Sequence, residues 1–266
     1  MKISILTMIL LPLGQSFVQK SWNILGLGRS MLTMAAEVPS TVLVTGANGG
    51  IGTEFCRYYA SKGAQVFAAC RKDSDEVEAL NDPNIVVLPN IDITSQDCVD
   101  EMAAAVKKNG KPIDLLINNG GVIRQEYIPD LDIDSIQKQF EVNSIGALRV
   151  TSALLKANLL TTPGGKIAMI TSQMGSMDDN TSGGYYGYRM SKAALNAASV
   201  SLAHDLRLYG IHVAVLHPGW VSTKMTGYSG LINTEESVAG MVDKINILDG
   251  SNSGTWWHTN GKIIKW

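Results

Sequence analysis

From Thr41 onward, short unbroken apolar runs alternate with stretches of helical periodicity, and this rhythm constrains the fold more than any other feature of the chain. Thr41–Thr45, Gln65–Cys70, Ile85–Leu88, Ile113–Ile117, Lys166–Thr171 and Val213–Leu216 are too short for buried helices and lack the polar alternation of a half-exposed strand. They read as strands buried on both faces. Between them, Ile51–Ser61, Ser95–Lys108 and Ser191–Leu208 read as helices, with Gly63 and Gly110 placed to close the first two. A long amphipathic stretch runs from about Ile133 to Leu160. Continuous apolar strands separated by helices define a parallel sheet covered on both faces. The predicted fold class is α/β, one doubly wound parallel sheet over residues 37–266, with no internal linker.

Residues 1–36 stand apart as an N-terminal extension. They carry Lys2, Lys20 and Arg29 and no acidic residue before Glu37. The apolar run Ile3–Leu13 is about half the roughly twenty residues a helix needs to cross a bilayer, so no integral membrane segment is predicted. One charge followed by such a run resembles a secretory signal, whereas the basic, Ser/Thr-containing continuation resembles an organellar transit segment. A start at Met31 or Met34, or a disordered extension, accounts for the same residues. The location stays open between cytoplasm and organelle. Asn180-Thr181-Ser182 is a glycosylation acceptor only if the chain enters the secretory lumen.

Composition narrows the function classes. The formal net charge is −2, without the basic excess of a dedicated nucleic-acid binder. Cys56, Cys70 and Cys98 lack paired C-x-x-C spacing, and His204, His212, His217 and His258 lack ligand-like spacing, so neither a disulfide framework nor a metal site is expected.

In a sheet of this kind, ligands bind outside the strand ends where strand order reverses. Thr45-Gly46-Ala47-Asn48-Gly49-Gly50-Ile51-Gly52 joins the first strand to its helix. Gly46 allows a tight turn, Gly50 lets backbone approach a pyrophosphate, and Gly52 permits close helix contact, with the helix N-terminus facing the anion. The backbone around Asn48 and Ile51 belongs to the same cradle. The second strand ends in Ala69-Cys70-Arg71-Lys72, without the carboxylate that accepts ribose hydroxyls in NAD enzymes. Arg71 can bind a 2′-phosphate bidentately, so NADP(H) is preferred, with NAD(H) as the alternative. Asp92-Ile93 stands where an adenine amino group could be met, or else near the N-cap of the following helix at Thr94 or Ser95.

Tyr188 and Lys192 are spaced i and i+4, on one helix face. A free phenol, with pKa about 10, is a poor proton donor at neutral pH, and a nearby ammonium lowers that value. Ser172 follows a strand and could stabilise charge on a substrate oxygen. Asn143 interrupts an apolar helix, where its buried amide could hold a water relaying protons to Lys192. Lys224–Ile232 reads as a mobile substrate lid and Met177–Gly184 as another pocket wall. Trp256 and Trp257 read as packing or subunit contact.

Together these elements resemble the short-chain dehydrogenase/reductase family. Thr45 to Gly52 matches its T-G-x-x-x-G-I-G turn, and Asn118 to Gly121 its N-N-A-G element with Gly120 in place of alanine. Asn143, Ser172, Tyr188 and Lys192 match its Asn-Ser-Tyr-Lys tetrad in order and approximate spacing. His217-Pro218-Gly219-Trp220-Val221-Ser222-Thr223 matches its Pro-Gly segment. Tyr188 to Asn196, Glu235 to Gly240 and the ending Gly261 to Trp266 resemble the C-factor-like or sniffer-like carbonyl reductase branch.

The resemblance implies a Rossmann-type oxidoreductase that reduces a carbonyl compound with NADPH by hydride transfer. Tyr188 is then the proton donor, with Ser172 on the substrate oxygen, Lys192 on the nicotinamide ribose and Asn143 anchoring the relay water. Gly46, Asn48, Gly50, Ile51, Gly52, Arg71, Asp92, Ile93, Asn119, Gly120, Pro218, Gly219, Val221 and Thr223 would complete the cofactor contacts, beside Tyr188 and Lys192. The partners implied are a small carbonyl or alcohol substrate and a second copy of the chain in a homodimer or homotetramer. A cofactor-sensing or signalling protein of the same fold is the alternative function, and the same site could run towards alcohol oxidation.

Overall fold

The computed structural model describes residues 38–72 and 74–266. The extension 1–36, with its targeting readings, lies outside the described residues. Among the described residues, seven strands form one sheet: β1 (Thr41–Thr45), β2 (Gln65–Ala69), β3 (Ile85–Leu88), β4 (Leu115–Asn118), β5 (Lys166–Ile170), β6 (His212–His217) and β7 (Trp256–His258). Their order is β3-β2-β1-β4-β5-β6-β7, and every pairing is parallel. The helices are α1 (Gly50–Ser61), α2 (Asp75–Glu78), α3 (Gln96–Lys108), α4 (Ile133–Phe140), α5 (Gly146–Lys156), α6 (Tyr186–Asp205) and α7 (Thr234–Asn246).

Period-two alternation splits the apolar residues between two cores. Leu43 of β1 faces the layer of α3, α5 and α6, with Met102, Leu154 and Leu195. Val42 and Val44 face α1 and α7, with Phe55, Tyr59 and Met241. Sheet order reverses between the neighbours β1 and β4, which leaves a crevice at their carboxyl ends.

Several boundaries differ from the sequence reading for identifiable reasons. Ile113 makes only an isolated bridge with Leu160. Its neighbour Asp114 accepts bonds from Ser40 N–H at 2.9 Å and Thr41 N–H at 3.1 Å, tying off the start of β1 before β4 begins. The stretch from Ile133 is two helices joined by a π turn at Glu141–Ile145, with Asn143 at its centre. Helix α6 starts at Tyr186, ahead of the predicted Ser191. Helix α7 opens with a capping box formed by Asn233 and Glu236. Trp256 and Trp257 form the last strand, with Trp266 stacked on Trp256 at 5.1 Å between ring centroids.

Candidate active site

The glycine turn at the end of β1 is held by close backbone packing. Gly46 has φ +63°, and a Cβ there would stand 2.7 Å from the Gly120 Cα. A Cβ on Gly52 would stand 2.1 Å from the Gly46 carbonyl oxygen, so α1 can begin this close to the strand end only without a side chain. Asn119 fastens the turn from β4: its Nδ2 donates to the carbonyls of Thr45 at 3.2 Å and Gly46 at 3.0 Å. The Thr45 hydroxyl accepts from the amides of Asn119 and Gly120. Asn119 therefore lies beneath the turn, bonded to it.

A small cleft beside this turn, of about 100 Å³, is lined by Gly46, Asn48, Arg71, Asp92, Ile93 and Gly120 among others. Partial burial opposes ionisation of Asp92, but the amide and hydroxyl of Thr94 and the charges of Arg71 and Lys138 hold it below the usual carboxylate range. Just beyond this segment, Ser95 is the N-cap of α3 and accepts from Cys98 N–H at 3.4 Å, while Asp92 and Ile93 themselves line the small cleft. Gly50, at φ +55°, packs beside Thr223, and its amide donates to a Glu76 carboxylate oxygen at 3.2 Å. The start of α1 thus receives an anion from within the chain.

A larger cleft, of about 710 Å³, collects Ile51, Ser172, Tyr188, Pro218, Gly219, Val221 and Thr223 from separate stretches of sequence. Ile123, Arg124, Met174 and Trp220 complete much of its wall. Met225, Thr226 and Ser229 from the predicted lid line it too, as does Asp179 from Met177–Gly184. The C-terminal end of the lid segment is tied back to the stretch that precedes it: Leu231 N–H donates to the Trp220 carbonyl at 2.7 Å, and Ser222 N–H to that of Ile232 at 2.9 Å.

Tyr188 and Lys192 are both buried on the first turns of α6. Burial raises the Tyr188 phenol above its ordinary value, against the opposing pull of the nearby Ser172 hydroxyl, which favours the phenolate. The depression expected from the neighbouring lysine is not realised in this arrangement, because Lys192 Nζ is turned to the Ile170 carbonyl at 2.9 Å. It stands 5.8 Å from the phenol ring centre. Burial pushes Lys192 itself down to about 8.

Asn143 sits behind this pair. Its Oδ1 accepts from Val122 N–H at 2.7 Å, and its Nδ2 donates to the Val122 carbonyl at 2.8 Å and the Ser191 hydroxyl at 2.9 Å. The amide is thus bonded to protein at both ends, and it ties the strand-end loop to α6 through the π turn. His217 lines the larger cleft with its ring edge-on to His258, 4.8 Å between centroids. Burial, with His258 and Lys192 nearby, pushes it down to about 3, so it is neutral.

The sequence reading passed over Glu126 and Gln139, which are 3% and 1% exposed and hydrogen-bonded to each other beside the start of α6. Among the described residues, no three His, Cys, Asp or Glu side chains are grouped to hold a metal ion. Nor is any described helix long and apolar enough to cross a membrane.

A doubly wound parallel sheet with a glycine turn at its switch point and Ser, Tyr and Lys gathered beyond its strand ends has the architecture of a dinucleotide-dependent oxidoreductase. The chain belongs to the short chain dehydrogenase family, whose model matches residues 40–231. It is similar to 1-hydroxy-2-glutathionyl-2-methyl-3-butene dehydrogenase of Rhodococcus sp. (strain AD45), 38% identical over 85% of this chain and all of that one. It is also similar to C-signal of Myxococcus xanthus, 42% identical over 58% of this chain and 93% of that one. Among solved structures, the NADPH-bound carbonyl reductase from chicken fatty liver superposes with TM-score 0.78 and 31% identity, covering 85% of this chain and 99% of that one.

Proposed function

We propose that residues 37–266 form an NADPH-dependent carbonyl reductase domain. The observation that carries this reading is the convergence of Ser172 and Tyr188 on one cleft, with Lys192 buried a helical turn behind and the glycine turn alongside. The residues present fit a dinucleotide. Gly46 and Gly52 let the turn and the start of α1 pack closer than any side chain would allow, and the first turn of α1 has no acidic residue of its own. Its Gly50 amide already accommodates a carboxylate oxygen. Arg71 and Lys72 on the small cleft suit a 2′-phosphate. The NADPH in the similar chicken enzyme supports the same cofactor here.

The chemistry a bound reduced dinucleotide supplies is the hydride, delivered to the carbonyl carbon. Ser172 and Tyr188 hydrogen-bond the carbonyl oxygen and stabilise the charge that develops on it. Tyr188 then gives that oxygen its phenolic proton, completing the alcohol. Lys192, pushed down to about 8, holds its proton loosely enough near neutral pH to return one towards the phenolate. Asn143 acts as a positioning residue, holding the π turn and the loop at Val122 against α6. The chain would assemble as a homodimer or homotetramer. Met190 of α6 and Ile133 of α4 are exposed apolar residues suited to such a contact.

The test is NADPH oxidation by the full chain across aldehydes, ketones, quinones and dicarbonyls, with NADH and Tyr188→Phe alongside. Tyr188→Phe is expected to lower turnover by about 10²- to 10⁴-fold with NADPH affinity nearly unchanged. Retained turnover in that variant would refute the assignment, and lost NADPH binding would mark Tyr188 as structural. The similarity to a protein named C-signal favours one second reading, a signalling protein of the same fold acting through a partner. NADPH binding with no turnover of any carbonyl would select it.

A further inference from the structure

We infer that Glu126 is a positioning residue for Tyr188, acting through the first turn of α6; this rests on the reading of Tyr188 as the proton donor. Helix α6 lacks a cap of its own. Its N-cap residue, Tyr185, is in the left-handed region at φ 52°, makes no side-chain capping bond, and no acidic residue follows in the first turn. The free amides at a helix start need acceptors, and the helix dipole favours a negative charge there. Glu126 supplies both from a loop 61 residues earlier: Gly187 N–H donates to its Oε2 at 3.2 Å. Gly187 is the residue immediately before Tyr188.

The other carboxylate oxygen of Glu126 accepts from Gln139 Nε2, and Gln139 Oε1 accepts from Arg124 N–H at 2.9 Å. Arg124 lines the larger cleft. A buried relay thus runs from the cleft wall through Gln139 and Glu126 to the turn carrying Tyr188. The relay is packed without slack: a Cβ on Gly187 would stand 2.5 Å from Gln139 Nε2 and 3.0 Å from the Ile136 Cα. A buried carboxylate is costly to desolvate, and a local Ser or Asp cap would serve helix stability alone. What this arrangement adds is a fixed geometry between the cleft wall and the phenol, and misplacing a reacting group by about 1 Å costs on the order of 10²-fold in rate.

The polarity of the relay can be exchanged. In Glu126→Gln, the new amide opposes that of Gln139 and one hydrogen bond is lost. In the double variant Glu126→Gln/Gln139→Glu, the amide introduced at position 126 donates to the carboxylate at position 139, and its oxygen accepts from Gly187. The carboxylate at position 139 still accepts from Arg124 N–H. All three bonds and the net charge are kept, and only the 3.4 Å contact of Gln139 Nε2 with the Ser135 carbonyl is given up.

The experiment compares the full chain with the single and double variants by kcat, KM and NADPH Kd on a carbonyl reduced by the wild type. It also compares Tm and the ¹³Cζ tyrosine resonance of Tyr188, assigned by its loss in Tyr188→Phe. The single variant is expected to lose about 10- to 100-fold in kcat with NADPH Kd within about twofold. Its Tyr188 resonance should shift. The double variant should recover kcat to within about threefold of wild type and restore the resonance. An unshifted resonance or unchanged kcat in Glu126→Gln would overturn the inference. So would a folded double variant that stays as slow as the single one, or failure of both variants to fold, since the exchange keeps every bond in the relay. Turnover retained by Tyr188→Phe would instead sink the proton-donor reading, whatever the Glu126 variants do.

Discussion

Lys192 makes the stability of this protein depend on pH in a direction the structure dictates. Its ammonium is buried, and its folded pKa is pushed from 10.5 to about 8 by desolvation. Because the folded value lies below the unfolded one, the unfolded chain binds more protons between about 8 and 10.5, and stability must rise with pH through that window. At pH 7 the buried charge costs about 3 kcal/mol, and by pH 9.5 the cost has fallen by about 2 kcal/mol. Replacing the residue as Lys192→Met removes this dependence. It also strands the Ile170 carbonyl that Nζ now satisfies at 2.9 Å, a loss of about 1–3 kcal/mol that does not vary with pH. The sign of the mutational change at pH 7 is therefore a near balance, while its change with pH is not. Cys56, Tyr59 and Tyr188 are all raised by burial and weaken the fold at high pH, but they are common to both proteins and cancel in the difference. Urea unfolding of wild type and Lys192→Met at pH 7 and 9.5 should show the wild type gaining about 2 kcal/mol on the variant, a relative midpoint shift of about 1 M. A difference between the proteins that stays constant within about 0.5 kcal/mol would refute the buried ammonium.

On the proposed reading, cofactor binding depends on two charges of opposite sign. Arg71→Ala is expected to weaken NADPH binding about 10- to 100-fold by calorimetry while leaving NADH within about twofold, as befits a charge-assisted contact to a phosphate. Glu76→Gln, which removes a carboxylate from the Gly50 amide at the α1 N-terminus, is expected to tighten NADPH binding about 3- to 10-fold; unchanged or weaker binding would mean that Glu76 does not compete there. Gly52→Ala drives a methyl to 2.1 Å from the Gly46 carbonyl oxygen. It should abolish dinucleotide binding and cost about 1–3 kcal/mol of stability, measured by nucleotide titration and urea unfolding.

What could be read from the sequence follows the range over which each interaction acts. Thr41–Thr45 and Lys166–Ile170 announce buried strands because a continuous apolar run has no other stable place, and the structure has both. Tyr188 and Lys192 share a face because helical spacing is local. Signals that were present and unread include the Asn233–Glu236 capping box at the start of α7. Strand β7 had almost none: three residues, Trp256–His258, carry no periodicity, and only pairing with β6 makes them a strand. Asn143 reads locally as a kink, and the structure supplies the π turn. That both ends of its amide are already bonded follows from Val122 and Ser191 arriving from elsewhere in the chain.

The start of α6 is the sharpest case. Gly183-Gly184 and the left-handed Tyr185 argue against a helix beginning there, and the local sequence offers no cap. A lone Glu126 in a loop reads as a solvated charge, and a glutamine on an amphipathic helix as a polar face. Only the fold brings the carboxylate to the Gly187 amide, in the first turn of the helix that begins at Tyr186 and carries Tyr188. The residues proposed to bear the chemistry are thus legible by type and spacing. The residues holding them in place are recruited across the sheet from positions whose own neighbourhoods give no hint of the task. Aligning a phenol with a cleft needs contacts from outside its own helix, so such contacts lie beyond the reach of any local pattern.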